Sequence, residues 1–280
     1  MKNKQVQKKF TVGDEWLYYK LYCGVKTADA VLLEMIEPLT KKLITKKLID
    51  KWFFIRYSDP EPHLRIRFHL LNIEEIGNII IEIKKALTSL IDSNQILDVQ
   101  LATYNREIQR YGKDTIEEAE LFFFYDSQQI ISIIQNSKND ESRFLLLFNW
   151  LEKIISSFNF KDENILSFLD RMQEQFKNEF NVDKKGKKEL NTKYRNLEPL
   201  IFEENNVNFL QKDSIKKIVE NILMIEKNNK LEADLENLLA SFIHMSINRC
   251  FRSNQRIYEM MLYDFLYKKD KSKFVRYGKL

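Results

Sequence analysis

The sequence predicts an α+β fold: a mainly antiparallel sheet in ferredoxin-like βαββαβ order over residues 1–112, then a mostly helical half over 113–280, together one domain spanning 1–280. Two observations carry this. Trp52 to His69 reads as two strands joined by a tight polar turn, the second alternating strictly, with Leu64, Ile66 and Phe68 on one face and His63, Arg65, Arg67 and His69 on the other. Beyond Gly112 the apolar spacing turns helical and stays so. The 6 Gly and 4 Pro are too few for a turn-rich all-β protein, and neither GxGxxG nor GxxxxGK[ST] occurs.

Each element has its own signal. Trp16 to Tyr22 is rich in aromatic residues that favour strands. Val31, Leu32, Met35, Leu39 and Leu43 give Thr27 to Leu48 a helical stripe, with Thr27 as N-cap. The strand pair 52–57 and 63–69 follows, with Asp59, Pro60 and Pro62 setting its turn. Ile73 to Asp92 is a second helix, and Ile96 to Tyr104 alternates as a strand. Helices are then predicted at Glu117 to Asn136, Glu141 to Phe158, Asn164 to Phe180, Leu190 to Phe202, Ser214 to Glu226 and Leu231 to Tyr267, the last broken near Arg252-Ser253-Asn254. Lys184 to Lys188 reads as a solvated basic turn, and Glu117-Glu118-Ala119-Glu120 as acidic residues placed on a helix dipole.

Composition excludes several classes of function. A net charge of +4 is mild and does not by itself imply nucleic acid, and no direct nucleic acid partner is expected. Cys23 and Cys250 stand far apart, with no CxxC and no Cys/His cluster, so neither zinc nor a disulfide framework is expected. The polar, basic start at Met1 to Lys9 is no signal peptide, and no apolar run is long enough to span a bilayer; a cytoplasmic protein without membrane insertion is expected.

Three polar clusters interrupt apolar elements. His63, Arg65 and Arg67 share a strand face, which is either a solvated surface or a grip for an anion, since Arg forks match carboxylate and phosphate geometry. In Tyr104 to Gly112, a helical reading sets Arg106 and Arg110 on one face and leaves Glu107 to pair with a strand arginine; the alternative is an ordinary surface turn. In Phe242 to Arg249, His244 and Asn248 lie one turn apart on a helix, where a lone histidine is either a satisfied structural group or an acid–base group.

In chain order these motifs resemble one family. Trp-x-Tyr-x-Lys-Leu-Tyr from Trp16, Trp-Phe-Phe-Ile-Arg-Tyr-x-Asp-Pro-x-x-His-Leu-Arg-Ile-Arg-Phe from Trp52, Tyr-x-Arg-Glu-Ile-x-Arg-Tyr-Gly from Tyr104 and His-Met-x-x-Asn-Arg from His244 are similar to the C-terminal domain of class I lanthipeptide dehydratases, which also occurs free-standing in thiopeptide-type bacteriocin biosynthesis. The resemblance runs from Trp16 to about Phe251. It implies elimination of glutamate from glutamylated Ser or Thr of a precursor peptide, giving dehydroalanine or dehydrobutyrine, without metal or redox cofactor. By resemblance Arg65, Arg67, Arg106 and His244 match catalytic positions, with Arg110, His63 and Asn248 as substrate-binding candidates. The implied partners are the precursor peptide and a separate tRNA-dependent glutamylation subunit, with a homodimer left open. Two other readings stand beside it: a [4+2] pyridine-forming cyclase on the same scaffold, and a non-catalytic peptide-binding subunit.

Overall fold

The computed structural model describes residues 6–203 and 209–277; of the basic start at Met1 to Lys9, residues 1–5 lie outside them. Strands β2 (Trp16–Tyr22), β3 (Ile49–Ser58), β4 (Pro62–Leu70) and β5 (Asp98–Ala102) form a four-stranded sheet in the order β3-β4-β2-β5. Every pairing is antiparallel. This is the expected βαββαβ arrangement, with the chain crossing over through helices before β3 and before β5. Two short strands, β1 (Lys9–Phe10) and β6 (Tyr104–Asn105), pair separately and tie the chain start to the segment after β5.

The first crossover is helical from α1 (Thr27–Ala30) to α2 (Glu37–Thr45), with a π-helical stretch over Val31–Ile36 between them. Pro38 explains the widening: it has no N–H to give to the preceding turn, and its ring crowds that turn's carbonyl, which the wider π turn relieves. Thr27 makes no capping bond; the cap position is Lys26. The second crossover is a 3₁₀ turn at Ile73–Glu75 followed by α3 (Ile76–Asp92). The sheet face bearing Leu64, Ile66 and Phe68 is buried, as are Val31, Leu32, Leu39 and Leu43 of the first crossover and Ile79, Ile83 and Leu87 of α3.

After β6 come a one-turn helix α4 (Ile108–Tyr111), then α5 (Ile116–Asn136), α6 (Asp140–Ser157), α7 (Asp162–Glu179), α8 (Lys184–Phe202), α9 (Lys212–Lys227), α10 (Leu235–Cys250) and α11 (Gln255–Tyr277). The expected break falls between α10 and α11. Gly112, at φ +78, ends α4 in a conformation that other residues adopt only under strain. Lys184 to Lys188 is not a turn but the start of α8: Asp183 caps it by accepting from the Gly186 N–H at 2.7 Å.

The two halves meet along the outer side of β3, which no strand covers. The Ser127 hydroxyl of α5 accepts from the Phe54 N–H at 3.3 Å, and Arg249 of α10 donates from Nε to the Phe54 carbonyl at 2.7 Å. Asn248 closes the next pair, its Oδ1 accepting from the Arg56 N–H and its Nδ2 donating to the Arg56 carbonyl, both at 3.0 Å. Side chains thus take over the hydrogen bonds of a missing strand. Arg249, fully buried, is held by Asp126, which also accepts from Trp150 Nε1 at 2.8 Å and the Ser246 hydroxyl at 2.7 Å.

Candidate active site

β4 sets His63, Arg65, Arg67 and His69 on one face because side chains alternate along a strand. Their neighbours on that face follow from the register: Tyr18 and Phe53 flank Arg67, and Tyr22 and Tyr57 flank His63. Arg67 is buried, its guanidinium among the rings of Tyr18 at 4.4 Å, Tyr104 at 4.8 Å and Phe53 at 5.1 Å. No carboxylate pairs with it among the described residues, and its Nε has no hydrogen-bond partner there. Burial pushes its pKa down, a pull that the Tyr104 and Tyr18 hydroxyls oppose. A buried guanidinium among three ring faces, with Glu107 acting on it only from outside ion-pair distance, is a cation short of its anion.

Arg65 lies further out, stacked 3.3 Å over the Tyr57 ring, its Nε donating to His63 Nε2 at 3.1 Å. His63 Nδ1 meets the Glu61 carbonyl at 2.8 Å, and a carbonyl can only accept. The proton is therefore on Nδ1 and the ring is neutral. Burial holds its pKa below the ordinary value, against the Glu61 carbonyl bond, which raises it, and with help from the Arg65 charge. His63 thus orients Arg65. His69 contacts Asp50 at 2.6 Å and stacks edge-on with Trp16.

The segment after β5 separates the two arginines that the sequence placed together. It is not a helix through Arg106: the β1–β6 pairing holds it extended, with the Arg106 N–H bonded to the Lys8 carbonyl. Arg106 turns inward and grips the fully buried Glu120 of α5 with both arms, Nε to Oε1 at 2.6 Å and Nη2 to Oε2 at 2.7 Å. Burial works against its charge, but the Glu120 bonds prevail and raise its pKa. Its fork is fully engaged, so Arg106 is a structural ion pair and not a free grip, and Glu120 is its counter-ion rather than a solvated dipole charge.

Arg110 takes the open position. It sits on α4, half-exposed, with Nε donating to the Ser241 hydroxyl of α10 at 2.9 Å and Nη1 lying 3.5 Å from Glu107, its own neighbour rather than a strand arginine's partner. One turn further along α10 is His244. Its Nδ1 is 3.0 Å from Oε2 of Glu259 on α11, a nearly buried carboxylate that Arg256 also contacts at 3.0 Å. The carboxylate fixes the proton on Nδ1 and leaves Nε2 as the basic nitrogen. An aromatic chain joins these parts to the β4 face: Phe53 to Phe123 at 5.3 Å, Phe123 to Tyr111 at 5.3 Å, and Tyr111 to Phe242 of α10 at 6.1 Å.

The structure therefore sets Arg65 and Arg67 on one sheet face and carries Arg110 and His244 on α4 and α10, whose Tyr111 and Phe242 are linked by ring contacts to Phe53 beside Arg67. It withdraws Arg106 into the interior and commits Asn248 to the backbone of β3, so neither is free for a substrate. Glu259 and Ser241 have no sequence signal of their own; both became visible only once α10 was packed on α11 and α4. Among the described residues no cluster of His, Cys, Asp and Glu could hold a metal ion, and no helix is long and apolar enough to cross a membrane.

A family model described as the C-terminal region of lantibiotic biosynthesis dehydratases matches residues 16–269. The nisin biosynthesis protein NisB of Lactococcus lactis subsp. lactis is 30% identical over 244 residues, 84% of this chain but 23% of NisB. The chain thus spans about a quarter of the length of the curated relatives it matches. Among solved structures, the tRNA-dependent lantibiotic dehydratase MibB from Microbispora sp. 107891 superposes with a TM-score of 0.75 at 19% identity, over 96% of this chain and 29% of MibB. The pyridine synthase TbtD from thiomuracin biosynthesis superposes with a TM-score of 0.59 at 9% identity, over 95% of this chain and 100% of TbtD. At these identities the two structures establish shared fold.

Proposed function

The chain belongs to the lantibiotic biosynthesis dehydratase C-terminal family, and from that premise we propose that it is a lyase eliminating glutamate from glutamylated Ser or Thr of a precursor peptide, with a separate subunit supplying the ester. The observation that carries the reading is Arg67, buried and without a counter-ion among the described residues. An anion is what such a group lacks, and a glutamyl ester brings one carboxylate and generates a second as its C–O bond breaks.

The chemistry divides among the residues. A base takes the Cα proton of the esterified residue; the C–H electrons become the Cα–Cβ double bond; the Cβ–O electrons leave with glutamate as its new carboxylate. Arg67 and Arg65 bind glutamate carboxylate and take up the charge that develops on it. Arg110, anchored on Ser241, is the third guanidinium, in the role that resemblance assigned to Arg106. His244 Nε2 moves the proton, and Glu259 steadies the imidazolium that results. No step calls on a metal or redox group.

The test is direct. Purified protein mixed with a synthetic peptide carrying a glutamyl ester on Ser should release glutamate and leave dehydroalanine, read by mass. A peptide left untouched, while one with two dehydroalanines is converted to a pyridine, would replace this reading with the cyclase.

A further inference from the structure

A cavity of about 340 Å³ opens at the tip of the β3–β4 hairpin, against the corner between α10 and α11. Arg56, Tyr57, His63, Arg252, Ser253 and Asn254 help to line it. Behind it sits an unbalanced charge cluster. Asp29 receives three guanidinium groups: Arg56 at 2.5 Å, Arg252 at 2.7 Å and Arg143 at 2.9 Å. Two of these arginines are deeply buried, Arg56 at 6% and Arg143 at 5% exposure. The C-terminal carbonyls of α10 offset part of the excess, since Arg56 donates to the Arg249 carbonyl at 2.8 Å and Arg143 to the Cys250 carbonyl at 3.3 Å. One donor is left over: Arg56 Nη1 is buried with no partner among the described residues. The 23-residue helix α11 begins at Gln255, so its positive end faces the same space as Ser253 and Asn254.

We propose that this cavity is an anion subsite that takes a carboxylate. Three arginines against one aspartate, an orphaned guanidinium nitrogen and the start of a long helix all lack the same thing. Arg252 gives Asp29 only its Nε, so its two terminal nitrogens suit a carboxylate's two oxygens, and Arg56 Nη1 is a further donor beside them. The cavity adjoins the β4 grip: Tyr57 and His63 line it, and both also contact Arg65, which does not line it.

The carboxylate could arrive on a peptide side chain or as free amino acid, and the titration separates these. Calorimetry is run on the Arg67→Ala protein, which silences the β4 grip, with three probes: acetyl-Ala-Glu-Ala-amide, its Gln counterpart and L-glutamate. The Glu peptide should bind at least about 10-fold more tightly than the Gln peptide, the worth of hydrogen bonds to a charged group. Adding Arg252→Ala should remove that advantage. This variant keeps its fold because Arg56 and Arg143 still hold Asp29; circular dichroism checks that. The same Arg252→Ala change in otherwise wild-type protein should abolish one of two binding events. Tighter binding of the peptide than of L-glutamate assigns the site to a peptide-borne carboxylate, and the reverse to the free amino acid. Equal affinity for the Glu and Gln peptides, or undiminished binding after Arg252→Ala, overturns the proposal. Nothing turns over in this titration, so its outcome is independent of the elimination reading.

Discussion

Arg106→Ala should break the protein's stability rather than its chemistry. The change removes both bonds to Glu120, at 2.6 and 2.7 Å, and the contact of Nη1 with the Gln7 carbonyl at 3.3 Å. Glu120 is then left fully buried, with the Tyr104 hydroxyl at 2.9 Å as its remaining hydrogen-bond donor. Removing one partner of a buried ion pair costs about 3–5 kcal/mol. For a domain of this size that lowers the melting temperature by about 6–20 °C. Replacing both partners with apolar groups, Arg106→Met with Glu120→Leu, removes the stranded charge and should return stability to within about 2 kcal/mol of wild type, the remainder being the Tyr104 hydroxyl left unpaired. The assay is paired: a denaturant midpoint for each protein, and glutamate elimination measured well below the melting range. The double variant should eliminate at a rate within about threefold of wild type. If Arg106→Ala keeps the wild-type midpoint while elimination falls by about 10² or more, Arg106 touches substrate and its assignment as an internal brace is wrong.

Arg67→Ala should cut elimination by about 10²–10³ and, because its guanidinium has no carboxylate partner to strand, leave the melting temperature nearly unchanged; glutamylated peptide should accumulate in mass spectra. Arg110→Ala should lose elimination comparably, and a fully active Arg110→Ala protein would remove it from the site. His244→Ala should lose about 10²–10⁴ with peptide affinity retained, while Glu259→Gln should slow elimination with peptide affinity retained, because the imidazolium that forms loses its carboxylate; an unchanged rate refutes the pairing. His63 has a folded pKa below its unfolded value of about 6.5, so the stability it contributes is full above that pH and is lost as pH falls through the folded value. Wild-type protein should therefore have a lower denaturant midpoint at acidic than at neutral pH, and His63→Gln should narrow the difference; an unchanged difference would show that His63 is not the group responsible.

Strict alternation at Leu64, Ile66 and Phe68 was enough to set β4 and its charged face, and the polar interruption Arg252-Ser253-Asn254 was enough to separate α10 from α11. What misled was local spacing used without its tertiary partner. Arg106 and Arg110 would share a face on a helix, but a two-residue pairing with Lys9–Phe10, a hundred positions away in order of magnitude, holds Arg106 extended and sends it inward. Glu120 reads as a first-turn acid because Glu117 and Glu118 precede it, yet helical rotation turns it into the core. Asn248 follows His244 by one turn and so read as its companion, although its amide matches the N–H and C=O of an unpaired strand. The lysine run 184–188 has the composition of a solvated turn, yet the Asp183 cap ahead of it starts a helix there. Asp29 carries no local signal as a single acid, because the three arginines that meet it lie at positions 56, 143 and 252.

The side-chain cover on the outer side of β3 has a consequence for how the protein reaches its native state. β3 reads Ile-Asp-Lys-Trp-Phe-Phe-Ile-Arg-Tyr-Ser, a long, aromatic-rich segment of high β propensity. Its guards, Ser127, Asn248 and Arg249, arrive late from the ribosome, two of them close to 200 positions downstream by hydrogen-bond separations of 192 and 195. Until α10 docks, a nascent sheet presents an open aromatic edge to other chains, so a fragment ending at residue 112 should self-associate and chaperone demand should peak before α10 emerges.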